Sequence, residues 1–97
     1  MYARVLTNEI QPGKAEEWKN IISDSLIPAF KKQKGFKGLI LLVDKNSNKS
    51  IGCSMWETEN DLNANDESPF VHEQLAKLKN LIAGQPVREK YELTILT

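Results

Sequence analysis

Residues 36–44 read FKGLILLVD, an apolar run that lacks the alternation of a half-buried strand. A strand of this composition is normally buried on both faces. The whole chain has 97 residues, which is enough to bury roughly two thirds of the unfolded surface in one core but too few for a second core. We therefore expect a single domain over residues 1–97, in which this strand is covered from both sides.

Three other segments alternate in the way that is typical of strands with one buried face. The first is residues 2–9, in which four side chains share one face: Tyr2, Arg4, Leu6 and Asn8. The second is residues 51–57, in which Trp56 lies on the face opposite to the other apolar side chains. The third begins at Val87 and continues its alternation through Ile95. With the apolar run, these segments predict four strands.

Two segments between the strands show apolar residues at helical spacing. The first extends over residues 15–30. Pro28 predicts a kink in it, because proline lacks the amide hydrogen, and Gly35 predicts its end. In the second segment, Thr58 is expected to cap the first turn. The Ser-Pro pair at 68–69 is expected to restart this helix, with serine as the cap and proline in the first helical position.

The predicted order of elements is β-α-β-β-α-β, the ferredoxin-like arrangement of the α+β class. Right-handed connections place both helices on one face of an antiparallel sheet whose edges are the second and fourth strands. The other face then has no cover of its own. Because an uncovered apolar edge strand invites uncontrolled pairing, we expect a second copy of the chain to pack face to face against this sheet as a homodimer.

The charge balance argues against two classes of partner. Lys plus Arg and Asp plus Glu each number 13, so no net charge attracts a polyphosphate or an anionic membrane. We expect neither nucleic acid nor a membrane as a partner. Cys53 is the only cysteine and cannot form an intrachain disulfide, and the first residues show no secretion signal. These features predict a cytoplasmic protein.

Four short motifs occur in an order and spacing that resemble the antibiotic biosynthesis monooxygenase domain. They are QPGK at 11–14, QKGFKGL at 33–39, MWET at 55–58 and VREKYEL at 87–93. The resemblance extends over nearly the whole chain. It implies the dimeric α+β barrel, in which the sheets of two subunits face each other and the helices lie outside.

The resemblance implies more than one possible activity, because the family includes cofactor-independent monooxygenases of quinols and phenols, haem-degrading oxygenases and an isomerase. Fold alone does not choose among them. The asparagine, tryptophan and histidine of the haem-degrading branch align with Leu6, Asn65 and Gln74, so haem degradation is disfavoured. The sequence has no nucleotide or flavin motif, and we expect no cofactor.

In a cofactor-independent monooxygenase the substrate supplies the electrons, and the protein supplies an apolar pocket with a few polar groups. Three residues are candidates for a catalytic role. His72 is the only histidine, the residue type that most readily exchanges protons near neutral pH, although it lies off the apolar stripe of its helix. Asn8 could hold a phenolate or simply meet the turn. Trp56 resembles a tryptophan common in the family, whereas core packing is the usual use of tryptophan.

Four residues are candidates for binding the substrate: Tyr2, Arg4, Leu6 and Phe70. Arg4 could neutralise an anionic substrate, although pairing with Glu89 or Glu92 across the sheet is the more common arrangement. Three carboxylates near the second helix alternate like oxygen ligands for a cation: Glu57, Glu59 and Asp61. Carboxylates at a helix start stabilise the helix without a metal, so we expect no metal site.

We therefore expect a homodimeric, cofactor-independent monooxygenase of a small quinol or phenolic compound. The alternative is a non-catalytic dimeric module that binds a small apolar or aromatic ligand or a partner protein. This alternative stays open because no acid, base or nucleophile arrangement in the sequence is diagnostic of an enzyme.

Overall fold

The computed structural model describes residues 1–97, which form one four-stranded antiparallel sheet with helices on a single face. The strands are β1 (Tyr2–Glu9), β2 (Phe36–Asp44), β3 (Lys49–Trp56) and β4 (Val87–Glu92). The helices are α1 (Ala15–Ile21), α2 (Ile27–Lys31), α3 (Glu59–Glu67) and α4 (Pro69–Ala76). A π-helical turn, Ile22–Leu26, joins α1 to α2, and a 3-10 turn, Lys79–Leu81, follows α4. The predicted ferredoxin-like α+β fold is confirmed.

The strand order is β2-β3-β1-β4, so β2 and β4 are the edges, as the sequence predicts. Directly opposed residues of an antiparallel sheet point to the same face. Tyr2 is opposite Trp56 and Asn8 is opposite Ser50, whereas Leu6 is opposite Arg88. The helices cover the face of the sheet on which these paired side chains lie.

The irregularity that Pro28 predicts in the first helix takes the form of the π-helical turn that precedes it. Pro28 itself lies in the first turn of α2, where its missing amide hydrogen costs little. The backbone N–H of Ile27 bonds instead to the carbonyl of Ile22, five residues earlier. This wider turn rotates the residues that follow it about the helix axis, so that Trp18 and Phe30 are both buried on the same side of the helical segment.

The predicted helix end at Gly35 is confirmed. Gly35 has φ +81°, a left-handed conformation that favours glycine. Its carbonyl accepts the backbone N–H of Glu57 at 2.8 Å, which ties the helix end to the end of β3. Phe36 then folds back onto the helix, and its ring centroid lies 5.8 Å from that of Phe30.

Both caps predicted in the second helical segment are present. The Oγ1 of Thr58 accepts the N–H of Asp61 at 3.1 Å, and the Oγ of Ser68 accepts the N–H of Val71 at 3.3 Å. Pro69 occupies the first turn of α4. Each serine or threonine cap of this kind stabilises a helix by about 1 kcal/mol.

The core lies between the helices and one face of the sheet. It is formed by buried apolar side chains of the helices, β3 and the segments that flank β1: Ile10, Trp18, Ile22, Leu26, Ala29, Phe30, Trp56, Leu62, Val71, Leu78 and Leu81. From β2, Leu39, Leu41 and Val43 pack against it. The core therefore covers only one side of β2.

The other face of the sheet, which we call the open face, is apolar and has no cover within the chain. Ile40 and Leu42 of β2 are 50% and 57% exposed there, and Val87 and Tyr91 of β4 are also exposed. The prediction that β2 is buried on both faces is therefore not met within one chain. Cover by a second chain stays a prediction.

The last strand is shorter than its alternation predicts. The alternation predicts that it continues through Leu93 and Ile95, but the ladder ends at Glu92, which pairs with Tyr2 at the start of β1. One residue further along, the carbonyl of Met1 accepts the N–H of Leu93 at 2.8 Å. None of the helices is long and apolar enough to cross a membrane.

Candidate functional site

A cavity of about 270 Å³ lies between the helices and the covered face of the sheet. Its apolar walls come from β1, β2 and the helices: Leu6, Trp18, Ile22, Leu26, Phe30, Leu39, Leu41, Val71, Leu75, Leu78 and Ile82. This volume is close to the lower end of the range for pockets that hold small organic ligands, roughly 300–1,000 Å³. An aromatic compound of one or two rings matches its size.

Eight polar side chains also line the cavity: Arg4, Asn8, Ser50, Ser54, Asn65, Asp66, His72 and Arg88. They come from three strands and both helices of the second segment, so they converge only in the folded chain. An apolar cavity with a few convergent polar groups is the usual form of a small-molecule site.

Two of these polar residues are amides without the partners they need. Asn8 and Asn65 are only 4% and 5% exposed, and the Oδ1 atom of each is buried without a hydrogen-bond partner. An unsatisfied buried acceptor costs about 1–3 kcal/mol. Rotating either amide exchanges its oxygen and nitrogen, so each can offer an acceptor or a donor to a ligand. The two amides are therefore candidates for contact with a ligand.

Two buried serines accept hydrogen bonds from the indole N–H groups of the two tryptophans. The Nε1–H of Trp18 donates to the Oγ of Ser50 at 3.0 Å, and the Nε1–H of Trp56 donates to the Oγ of Ser54 at 3.0 Å. A hydroxyl that accepts one bond still has its own hydrogen to donate. Both serines line the cavity, so their hydroxyl groups are potential donors to an oxygen of a ligand.

Arg4 pairs with a carboxylate that the sequence did not suggest. Its Nη2 contacts the Oδ2 of Asp66, its Nε lies 3.3 Å from Oδ1, and its Nη1 donates to the backbone carbonyl of Glu89 at 3.1 Å. The prediction of a pair with the side chain of Glu89 or Glu92 was wrong. Glu89 is opposite Val5 and its side chain points to the open face, whereas Glu92 lies two positions along the strand, opposite Tyr2.

His72 lies at the edge of the cavity and is exposed on its other side. Its Nε2 contacts the backbone carbonyl of Asp66. Because a carbonyl can only accept, Nε2 must carry the hydrogen, and the lone pair of the neutral ring is then on Nδ1. The contact therefore leaves Nδ1 as the free nitrogen of the ring.

Four of the predicted site residues line the cavity: Arg4, Leu6, Asn8 and His72. Trp56 does not, because its ring packs against Phe30 and Phe36 with centroids 5.9 and 5.3 Å away. Tyr2 is directly opposite Trp56 in the sheet and packs against the core. Phe70 is exposed, with the Nζ of Lys32 5.3 Å from its ring centroid. The sequence thus identified the right face of β1 but misplaced the aromatic residues.

Sequence reasoning missed five polar lining residues: Ser50, Ser54, Asn65, Asp66 and Arg88. Alternation in β3 places the two serines on the face of Trp56 and could have found them. Arg88 is on the same face as Leu6 by a similar argument. Asn65 and Asp66 come close to the strands only through the packing of α3, and no local pattern signals this.

The shifted acid–base groups lie outside the cavity. On the open face, burial raises the pKa of the Cys53 thiol. The hydroxyl of Tyr91 donates to the carboxylate of Glu89 at 2.5 Å, and this bond raises the pKa of Tyr91. No three His, Cys, Asp or Glu side chains lie close enough together to hold a metal ion. The candidate site is therefore the cavity.

Comparison with known structures identifies the fold. A cofactor-independent oxygenase from Streptomyces nogalater, SnoaB, matches with a TM-score of 0.81 and 14% identity, covering 98% of this chain and 94% of its own. A protein from Caulobacter crescentus, provisionally assigned as an antibiotic biosynthesis monooxygenase, matches with a TM-score of 0.81, 19% identity and coverages of 97% and 90%. The chain has the fold of the antibiotic biosynthesis monooxygenases, which confirms the resemblance seen in the sequence at the level of the fold.

Curated relatives are themselves uncharacterised. Rv2558 of Mycobacterium tuberculosis is 31% identical over 96 residues, which is 99% of this chain and 40% of the relative. Rv2557 of the same organism is 28% identical over 97 residues, or 42% of its length. This chain thus spans less than half the length of these relatives. No protein-family model matches it.

Proposed function

We propose that this chain is a homodimeric, cofactor-independent monooxygenase that oxidises a small quinol or phenolic compound in the cavity. The observation that carries the proposal is the pair of buried amides, Asn8 and Asn65, whose Oδ1 atoms have no partner beside an apolar cavity. A substrate with hydroxyl groups would supply the missing hydrogen bonds. The fold shared with SnoaB supports the same class of reaction.

The chemistry in this proposal needs little from the protein. A substrate with an acidic C–H or O–H loses a proton, and the resulting electron-rich anion passes an electron to O2. Recombination forms a C–O bond, and loss of water then leaves a carbonyl group. For a hydroquinone, the hydrogen of the attacked ring carbon and one hydroxyl hydrogen leave with one oxygen atom as water, and the other oxygen atom stays in the product as a hydroxyquinone. For the CH2 carbon of an anthrone, both hydrogens of that carbon leave in the water. No outside reductant is required.

His72 is the proposed base. Its Nδ1 carries the lone pair because Nε2 contacts the carbonyl of Asp66, and that contact also orients the ring. Positioned bases of this kind contribute about 10²–10⁴-fold to a rate. The edge of the cavity is a suitable place for a base, since the proton can pass from His72 to the solvent on its exposed side.

The donors around the cavity are proposed to hold the anion formed in this step. The hydroxyl groups of Ser50 and Ser54 each accept an indole N–H and keep a hydrogen to donate. The amides of Asn8 and Asn65 can add further donors. Donors that are fixed in place before charge develops stabilise the transition state, because they pay no cost of reorganisation during the reaction.

The homodimer is part of the proposal. The open face exposes large apolar side chains on both edge strands: Ile40, Leu42, Val87 and Tyr91. A contiguous apolar patch on a sheet is rare unless a partner covers it. A second copy packed face to face would cover this patch and would leave the cavity, which is on the other side of the sheet, within each subunit.

Haem does not fit this site. The cavity of about 270 Å³ lies below the usual range for pockets that hold a drug-sized ligand, and haem is larger than most such ligands. His72 is the only histidine, and its Nε2 is occupied by the carbonyl of Asp66. The residues that line the cavity therefore favour a smaller ligand without iron.

Oxygen uptake tests the proposed activity. Purified protein with a chelator should consume O2 with at least one compound in a panel of hydroquinones and anthrones. The variants His72→Ala and Asn65→Ala should lose roughly 10²-fold or more of this rate. Asn63→Ala is the matched control, because Asn63 is on the same helix but outside the cavity.

Two outcomes would reject the proposal. If no compound in the panel is consumed faster than in the protein-free solution, the monooxygenase assignment fails. If Asn63→Ala and Asn65→Ala change the rate equally, the cavity is not the site. Tight binding of a panel compound without any oxygen uptake would instead support the non-catalytic ligand-binding module.

A further inference from the structure

Charged side chains of the cavity are gathered at one place, and their charges do not balance. Arg4 of β1 and Arg88 of β4 both pair with Asp66 of α3. The lining holds no other Asp, Glu, Lys or Arg side chain. Two guanidinium groups thus share a single carboxylate, which leaves one positive charge beside apolar walls.

The two arginines differ in how many of their donors are used. Arg4 directs Nε and Nη2 to Asp66 and Nη1 to the carbonyl of Glu89, so each of its nitrogens has an acceptor. Arg88 makes one ionic contact, from Nη2 to the Oδ1 of Asp66 at 3.3 Å, and its side chain is 56% exposed. A guanidinium has five N–H donors, so most of those on Arg88 are free.

We infer that Arg88 binds an anionic group, best matched by a carboxylate, on the aromatic ligand that occupies the cavity. This inference rests on the proposed function and specifies its substrate class. The flat fork of the guanidinium accepts a carboxylate through two parallel hydrogen bonds. A ligand carboxylate would also balance the second guanidinium, which Asp66 alone does not.

The register of the sheet gives this ligand a consistent orientation. Arg88 is opposite Leu6, and Asn8 is the next residue of β1 on the same face, about 7 Å along the strand. A single aromatic ring lying over Leu6 spans a distance of this order. Its carboxylate would then reach Arg88 while a hydroxyl group on the far side of the ring approaches Asn8.

Lys90 is the natural comparison for Arg88. It lies on the same strand and the same face, opposite Arg4. Its Nζ is 2.8 Å from the Oε2 of Glu59, and it does not line the cavity. Its charge is therefore paired outside the site, and replacing it changes the net charge of the protein by the same amount as replacing Arg88.

Calorimetry without oxygen tests the inference, using 2,5-dihydroxybenzoate and its uncharged methyl ester as matched hydroquinones. The native protein should bind the carboxylate about ten- to a hundredfold more tightly than the ester, as expected for a charge-assisted bond. Arg88→Gln should abolish this preference and leave the affinity for the ester unchanged. Lys90→Gln should keep the preference. Arg88→Lys, which retains the charge but not the fork, should keep only part of it.

Several results would overturn the inference: equal or tighter binding of the ester by the native protein, a preference that survives in Arg88→Gln, or no binding of either compound at millimolar concentration. The outcome is separable from that of the proposed function, since binding is measured without turnover. A carboxylate preference with no oxygen uptake on any substrate would retain the anion site and reject the monooxygenase. Oxidation of neutral quinols with no role for Arg88 would retain the monooxygenase and reject the anion site.

Discussion

Asp61 at the start of α3 occupies the space where Gly35 would carry a side chain. A Cβ built on Gly35 would lie 2.7 Å from the Cβ of Asp61 and closer still to its carboxylate. Gly35 also has φ +81°, which only glycine adopts without strain. This close approach joins the end of the first helical segment to the beginning of the second, and both helices line the cavity.

Gly35→Ala should therefore destabilise the protein more than the same change at Gly13. Gly13 has φ +80° but nothing within 4 Å of a Cβ, so Gly13→Ala should cost only the left-handed strain, about 1–2 kcal/mol. Gly35→Ala adds an overpacking cost of about 1–3 kcal/mol. Urea denaturation of both variants measures the difference. Equal losses would show that Asp61 moves away freely.

A second prediction concerns the cost of keeping Asn8 in the core. Asn8→Leu replaces a buried amide without a partner by an apolar side chain of similar size. We expect the free energy of unfolding to rise by about 1 kcal/mol while oxygen uptake falls. Asn63→Leu is the control, because Asn63 accepts a bond from Lys90 at 3.4 Å near the surface. A loss of stability in Asn8→Leu would mean that the amide is satisfied by ordered water.

The sequence predicts the fold well because the signals for it are local. The caps at Thr58 and Ser68 and the stop at Gly35 act within a few residues, and all three are confirmed. Alternation in β1 also placed Arg4 and Asn8 on the covered face correctly.

Parts of the site were not predictable in the same way. Alternation gives the face of a side chain but not its position along the sheet. Trp56 is on the covered face, yet its ring packs against Phe30 and Phe36 and does not line the cavity. The partner of Arg4 is 62 residues away on α3, and its identity depends on how the helix packs.

The hydrogen bond between Trp18 and Ser50 should couple the effects of these two residues on the stability of the fold. Ser50→Ala leaves the buried indole N–H of Trp18 without its acceptor at 3.0 Å, which should cost about 1–3 kcal/mol. Trp18→Phe should cost more, because it also removes packing. The double variant should lose less stability than the sum of the two single changes. Strict additivity in chemical denaturation would contradict a direct interaction.

The open face should mediate dimer formation. Leu42 is 57% exposed there, and Leu42→Glu would place a charge in the proposed interface. Burial of one leucine contributes about 1.5–3 kcal/mol, so the dissociation constant should rise at least about tenfold. Phe70→Glu is the control, since Phe70 is an exposed apolar residue on the helical side. Sedimentation equilibrium that shows a monomer for the native chain would reject the homodimer.

The reactivity of Cys53 should depend on whether the open face is covered. It is directly opposite Ile40 in the sheet, and burial raises the pKa of its thiol. The folded chain therefore holds this proton more tightly than the unfolded chain does. The contribution to stability is complete below the pKa of the unfolded state and is lost as the pH rises through the pKa of the folded state.

Alkylation by iodoacetamide should reach half of its maximal rate at a higher pH than for a free cysteine peptide. At a fixed pH it should slow further as the protein concentration rises through the dimer dissociation constant. In Leu42→Glu the same slowing should require at least about tenfold more protein. A rate that is independent of protein concentration in the native chain would place Cys53 outside any interface.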